Sequence, residues 1–307
     1  MDTERPSPRF ADIDLWEPSD ILESMIGGQF AAVAAVRAAL PEIERAALGI
    51  EQRLKEKGRL VRRSGHLWAT TVQDGAELMP TFSWPRERLL LLIAGGDEAM
   101  VRAVEGAEDE VGHATELVSC HHINADDVLI AVAASGTTPF TLSCLREAKR
   151  RGAYTVGIAN NGDTPIRREA EQGIFLNTGA EPIAGSTRMN AGTAQRITLN
   201  LLSSLVMIRL GRVYRGLMVD MQAANIKLSK RKTAMVGFLT GKEEGEAETA
   251  LQRAGGQVKI AVLLLHGYDV ETAADALRRA GGRLRQAIDL LTETGGASAR
   301  ERPSSRN

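Results

Sequence analysis

Several short segments of this 307-residue chain carry side chains able to do chemistry together. In Ala133-Ala-Ser-Gly-Thr-Thr-Pro139 a continuous apolar run precedes the turn and an amphipathic stretch comes after it. Backbone N–H groups at a helix start, with the hydroxyls of Ser135, Thr137 and Thr138 around Gly136, form a phosphate cradle that needs no lysine. The plainer reading is a strand-to-helix turn capped by hydroxyls; the Gly-Lys-Ser/Thr of a nucleotide-binding loop is absent. Gly185-Ser-Thr-Arg188 offers Ser186, Thr187 and the Arg188 guanidinium just before a long apolar helix, or else a capping loop with a surface arginine. Two carboxylates stand out. Glu77, in Asp74-Gly-Ala-Glu-Leu-Met-Pro80, is expected in a loop or at a helix start. Glu108, in Glu105-Gly-Ala-Glu-Asp-Glu110, is expected just after a helix. Two carboxylates in one cleft divide acid and base roles when burial and like charge push their pKa values apart. Against this, acid-rich runs are usually solvated faces, and an acid in a first helical turn is favoured by the helix dipole.

The elements that must position these groups can be read from patterning. Leu89–Ala94, Asp127–Ala134, Tyr154–Ala159 and Gly173–Leu176 are short apolar strands ending in Gly-, Ser- or Asn-rich turns. Helical stretches over Glu98–Val104 and Phe140–Arg150 alternate with them, which predicts an α/β fold: a doubly wound parallel sheet with helices on both faces. Ligands of such sheets sit at the C-terminal strand ends, where these turns fall. Residues 1–57 read as an extended arm (1–18), a short helix after Pro18 and a second from Gly28, with Phe30, Val33, Val36 and Leu40 on one face. Residues 58–240 form the sheet domain, ending in a buried helix over Met189–Leu210 and further helix over 212–240. After a linker at Gly241–Gly245, residues 241–293 are a small helical domain built on a repeat. Leu251–Leu265 and Leu277–Leu291 each end one helix at Ala-Gly-Gly and begin another. Residues 294–307 are expected to be a disordered tail.

Composition excludes several classes. Lys plus Arg is 38 and Asp plus Glu is 39, leaving a formal charge of −1, so no basic excess is available to grip nucleic acid or anionic membrane. Cys120 and Cys144 form no CxxC pair, and His121-His122 lack further ligands at metal spacing, so neither a disulfide framework nor a metal site is expected. The N-terminus lacks the apolar core of a secretory signal, and the apolar runs noted fall far below the roughly 20 residues of a membrane span, which predicts a cytoplasmic protein.

The blocks VQDGAELMPTF (72–82), IAGGDEAMVRAVEGAEDE (93–110), AASGTTPF (133–140), GSTRMNAGTAQRITLN (185–200) and MVDMQAANIKL (218–228), with the Ala-Gly-Gly helical tail, resemble the N-acetylmuramic acid 6-phosphate etherases of the sugar isomerase (SIS) fold. The resemblance runs in order along nearly the whole chain. It implies a cytoplasmic bacterial lyase, usually a homodimer, that cleaves the D-lactyl ether of N-acetylmuramic acid 6-phosphate in cell-wall sugar recycling, without metal or organic cofactor. Glu77 and Glu108 fall on the family's two catalytic glutamates. Ser135, Gly136, Thr137 and Thr138 fall on its phosphate loop, although arginine is common where this chain has Thr137. A non-catalytic sugar-phosphate sensor on the same fold is the alternative, and an aldose–ketose isomerase a third reading.

The departure lies after the first strand. Where the family has Gly-x-Gly-Thr-Ser-Gly-Arg, this chain reads Val61-Arg-Arg-Ser-Gly-His-Leu-Trp-Ala-Thr-Thr-Val72. Two arginines then enter a central parallel strand, where unpaired charge is costly. Gly65-His-Leu-Trp-Ala-Thr70 is encodable as GGG CAC CTC TGG GCG ACN. Read one nucleotide later, this gives GGC ACC TCT GGG CGA, or Gly-Thr-Ser-Gly-Arg. A compensated pair of frame slips explains the segment, with true local divergence as the alternative. A chain carrying it as written is expected to bind sugar phosphate weakly.

Overall fold

The computed structural model describes residues 1–64, 68–96, 104, 106–223 and 225–300. A five-stranded parallel sheet runs in the order β2-β1-β3-β4-β5, with β1 at Leu60–Ser64, β2 at Leu89–Ile93, β3 at Val128–Val132, β4 at Tyr154–Ala159 and β5 at Gln172–Phe175. The strands expected at 89–94, 127–134, 154–159 and 173–176 are all present within a residue or two. β1, expected from the resemblance as the central strand that the two arginines enter, pairs in register with both β2 (Leu60 with Leu89) and β3 (Leu60 with Val128). Its start is pinned by Arg59, whose backbone and guanidinium both bond the buried Asp127 carboxylate at 2.6–3.0 Å.

Helices α1 (Pro18–Ala38) and α2 (Leu40–Leu54) precede the sheet, and α3 (Trp68–Phe82) comes after β1. Then come α4 (Val111–Cys120), α5 (Pro139–Arg150), α6 (Pro165–Glu169) and α7 (Asn190–Arg209). Alternation along the strands sorts the faces. Val61, Leu129, Ala131 and Ala159 share a core with Phe140, Cys144 and Leu145 of α5 and Ala114 and Val118 of α4. On the other face Gly49 of α2 approaches Tyr154 so closely that a Cβ would overlap its ring, and Arg62 meets α3. The short helix expected after Pro18 and the first part of the second, expected from Gly28 toward Lys57, are one continuous α1, and the rest of the second is α2; Gly27 and Gly28 lie where α1 meets neighbours. A Cβ on Gly28 would fall 2.4 Å from the Asn190 side chain. Pro41 sits in the first turn of α2, where its missing N–H costs nothing. By length and composition α1 could cross a membrane, contrary to the expectation that no segment reaches that length. Its large apolar residues are interrupted by Glu23, Gln29 and Arg37 rather than forming one continuous run.

The expected arm is partly tied down: Thr3 is buried, and short 3-10 turns occupy Pro8–Phe10 and Ile13–Leu15. The helix expected at Glu98–Val104 lies outside the described residues except Val104.

Residues Met1–Glu77 and Pro85–Val206 form one compact unit; Leu78–Trp84 and the chain from Met207 form a second. The second is helical: α8 (Ile226–Thr240), α9 (Glu244–Arg253), α10 (Val258–Leu265), α11 (Val270–Arg279) and α12 (Leu284–Arg300). Met235, Val236 and Leu239 of α8 are buried in the same apolar cluster as α9–α12, so α8 joins this unit although the sequence divided the chain at 240/241. Residues 212–223 are not the continuous helix expected. Gly211, Arg215 and Gly216 have positive φ, and Tyr214 bridges back to Leu217. Gly241 caps α8 in the left-handed region, which shortens the expected linker. Helix α12 continues through 294–300; residues 301–307 are outside the described part.

The repeat is built as its sequence implies. Gly256 N–H bonds Leu251 O and Gly282 N–H bonds Leu277 O, both at 2.8 Å. Lys232 Nζ donates to Gly256 O at 2.9 Å, and Lys259 Nζ donates to Gly282 O at 2.7 Å.

Candidate active site

The loop Ala133–Thr138 leaves β3 at the C-terminal edge of the sheet and feeds α5. Gly136 has φ +71° and is buried against Thr164, where a Cβ would lie 2.5 Å from that side chain, so both backbone and space require glycine. Ser135 Oγ accepts from Thr137 N–H at 3.2 Å and lies 3.4 Å from Thr138 Oγ1, which draws the three hydroxyls into one turn. Thr138 is the N-cap of α5, and Pro139 occupies its first turn. The N–H groups of Phe140 and Thr141 therefore have no i−4 acceptor and face the loop's end of the helix. The combination suits an oxyanion with several oxygens.

Glu108 is near enough to Arg63 of β1 to act on its charge. It lies in a 3-10 turn (Ala107–Asp109) ahead of α4 and is half-buried, not on the fully solvated face that its acidic neighbours suggest. Glu77 belongs to the third turn of α3 rather than to a loop or helix start, is exposed, and takes a hydrogen bond from Gln73 at 3.4 Å. Gly75, two residues earlier, lies against the Leu89 and Leu91 side chains of β2. The two glutamates thus stand on different elements, Glu77 on α3 and Glu108 in the turn before α4.

Ser186 and Thr187 are half-buried and Arg188 is exposed in the turn before α7. The first N–H groups of α7 are already taken: the buried Glu181 carboxylate accepts from Asn190 N–H at 3.0 Å and Ala191 N–H at 2.8 Å. Burial pushes the Glu181 carboxyl above its ordinary pKa, and the two N–H donors pull the other way. The helix start offered by the sequence to a phosphate is thus capped from inside, and Ser186, Thr187 and Arg188 can contribute side chains only. Sequence reasoning missed Glu181, which sits nine residues before the helix it caps. It also missed Asn161, whose amide donates to Ala134 O and Thr3 Oγ1, both at 2.9 Å, while its oxygen accepts from Asp2 N–H at 2.7 Å. The N-terminal residues are fastened in this way beside the hydroxyl loop. No group of His, Cys, Asp and Glu that could hold a metal occurs among the described residues.

The altered first strand has the cost anticipated for it. Arg62 and Arg63 are 1% and 0% exposed. Arg62 is compensated by an ion pair with buried Asp74, which also accepts from Asn200 and from Ser203 Oγ. Arg63 is not. Its three guanidinium nitrogens have no hydrogen-bond partner, and the group lies 4.1 Å from the Phe140 ring centroid. Burial lowers its pKa.

A family model described as the SIS domain matches residues 108–205, and one described as the glucokinase regulatory protein N-terminal SIS domain matches 63–149. The curated N-acetylmuramic acid 6-phosphate etherase of Deinococcus radiodurans is 46% identical over 86% of this chain and 87% of that protein. The chain belongs to the N-acetylmuramic acid 6-phosphate etherase family. The etherase of Streptomyces avermitilis is 40% identical over 89% of this chain and 88% of its own length; that of Erwinia tasmaniensis is 38% identical over 86% of each. This etherase sequence therefore matches its relatives along nearly their full length, through both structural units.

Proposed function

We propose that this chain hydrolyses the D-lactyl ether of N-acetylmuramic acid 6-phosphate, releasing D-lactate and N-acetylglucosamine 6-phosphate. The near full-length identity to curated etherases carries the reading. The hydroxyl loop at the end of β3 supports it, since it suits the 6-phosphate without a basic excess.

The chemistry needs two proton-transfer groups. Once the sugar opens to its aldehyde, the C2 proton is acidic, and Glu108 removes it. Lactate leaves from C3 as Glu77 protonates the ether oxygen. Water, activated by Glu77, then adds to C3 of the unsaturated aldehyde, and the proton on Glu108 returns to C2. Ser135, Thr137, Thr138 and the start of α5 hold the phosphate, with Ser186, Thr187 and Arg188 at its margin. Glu77 and Glu108 stand on different elements, α3 and the turn before α4, and this assignment takes the site as shared between two copies of the chain. A homodimer fits. The exposed stripe of Leu22, Ile26, Phe30 and Val33 along α1 is the apolar face such an interface needs. The same stripe explains the apolar character of α1 without a membrane, consistent with a cytoplasmic enzyme.

The test is D-lactate release from N-acetylmuramic acid 6-phosphate, abolished in Glu77→Ala and in Glu108→Ala. Mixing the two inactive variants is expected to restore about a quarter of the activity, through hybrid dimers with one intact site. Binding without release would instead indicate a sugar-phosphate sensor, and a ketose product an isomerase. Because Arg63 strains the first strand, the chain as written is expected to be far less active than a version carrying Gly-Thr-Ser-Gly-Arg in that segment. Equal turnover by the two, with sequences verified by mass spectrometry, would refute the expected weakness, and resequencing that finds an in-frame gene without those codons would remove the frame-slip explanation.

A further inference from the structure

The second unit contains a cavity of about 370 Å³ that the etherase reaction does not use. Its charged lining is Arg212, Asp220, Lys232 and Lys259, three cations to one anion. Ser83, Gln222 and Gln257 add polar groups, and Val219, Met221, Val258 and Leu277 form an apolar wall. The volume falls at the lower end of the range for small-molecule sites.

The ordinary explanation of these cations is structural, and it accounts for only part of them. Lys259 is almost fully buried and serves the fold, donating to Asp220 at 2.6 Å and to Gly282 O. Lys232 donates to Gly256 O, leaving two ammonium hydrogens for the cavity. Arg212 reaches Asp220 only at 3.4 Å with one of its nitrogens, leaving most of its donor fork unspent. Asp220 is thus shared between two cations, and a surplus of two positive charges remains around a partly enclosed space. The Gly255-Gly256 turn adds to it. Both glycines have positive φ, and the chain then enters α10, whose first residues, Val258 and Lys259, line the cavity. Gln257 is the N-cap of α10, yet its side chain makes no capping bond.

We infer that this cavity is a second anion site, distinct from the hydroxyl loop at β3, that binds a phosphate monoester dianion through Arg212, Lys232 and the start of α10. A dianion balances the surplus of two charges, and the guanidinium fork matches two of its oxygens. The apolar wall suits the carbon skeleton of a small phosphorylated ligand.

The experiment is titration calorimetry at low ionic strength, with inorganic phosphate and glucose 6-phosphate as separate probes. The full chain carries Ser135→Ala and Thr138→Val, so that the β3 loop is silenced. One phosphate-binding event per chain is expected to persist. Stronger binding of glucose 6-phosphate assigns the site to phosphorylated sugars, and equal binding assigns it to the phosphate group alone. Lys232→Ala and Arg212→Ala are each expected to weaken binding about tenfold or more. Lys232 also caps Gly256, so Gln257→Glu provides the second reading. It removes no native contact and suits a helix start, but its carboxylate at the cavity wall is expected to repel the ligand about as strongly. Absence of binding in the loop-silenced chain, or unchanged affinity in all three cavity variants, would overturn the assignment.

Discussion

Replacing Arg63 with methionine is expected to stabilise this protein, although it removes a charged side chain from the centre of a sheet. The guanidinium is fully buried, none of its nitrogens has a hydrogen-bond partner among the described residues, and only the Phe140 face and the attraction of Cys144 and Glu108 offset the lost hydration. Desolvation of such an ion costs several kcal/mol after relaxation. A desolvated cation–π contact returns about 2 kcal/mol. Methionine fills a similar volume without the charge, and exchanges of this kind gain roughly 1–4 kcal/mol. A gain of about 2 kcal/mol corresponds to about 4–8 °C in Tm for a domain of roughly 150–250 residues. Urea unfolding should report it as a higher midpoint with an unchanged slope. The internal control is Arg62→Met. That change strands the buried Asp74 carboxylate with only Asn200 and Ser203 as partners, and is expected to cost about 3–5 kcal/mol. Two neighbouring arginines in one strand should therefore respond with opposite signs. If Arg63→Met destabilised as much as Arg62→Met, Arg63 would not be an uncompensated charge, and the account of the first strand would fail.

The geometry carries four further expected outcomes. Arg150 and Arg151 hold the Glu147 carboxyl at about 2, so its contribution is present above the unfolded value of about 4.5 and fades as pH falls toward 2. Glu147→Gln should cost about 1 kcal/mol at neutral pH, with solvent screening limiting the gain, and the difference from wild type should close in acid unfolding curves. Burial pushes the Cys144 thiol up to about 12, whereas Cys120 is exposed; one thiol should label in the native protein and two after denaturation. Gly136→Ala meets both a left-handed backbone and the Thr164 side chain, and should lower stability by about 2 kcal/mol and weaken phosphate binding together. Phe30→Glu, on the exposed stripe of α1, should convert dimer to monomer in sedimentation and abolish lactate release; an active monomer would contradict a shared site.

The sheet was legible in the sequence because buried parallel strands write themselves as unbroken apolar runs, as at Val128–Val132, with punctuating turns. The helical repeat was legible because glycine pairs at 255–256 and 281–282 mark positions where only positive φ continues the chain. β1 was legible only through the resemblance, because the two arginines within it break the apolar run that marks the other strands. Glu77 was misplaced because Pro80 reads as a helix boundary, whereas α3 runs through it to Phe82. Residues 212–223 carry apolar residues at helical spacing, yet backbone reversals at Gly211, Arg215 and Gly216 prevent the helix. Glu181 leaves no local pattern at all, since its partners are backbone groups brought to it by the fold.

The lysine contacts at the two Gly-Gly turns give the second unit a direction. Lys232 of α8 holds the turn after α9, and Lys259 of α10 holds the turn after α11, so each lysine fastens a later hairpin to an earlier helix. Such coupling between successive neighbours makes the unit a short linear array, in which each hairpin depends on its N-terminal neighbour more than on its C-terminal one. Loss of the last hairpin would leave Lys259 its Asp220 partner. Loss of α8 would release the turn after α9 directly, and so loosen the helix whose Lys259 holds the next turn. Unfolding is then expected to travel from the C-terminal end inward, and truncations should be tolerated from that end first.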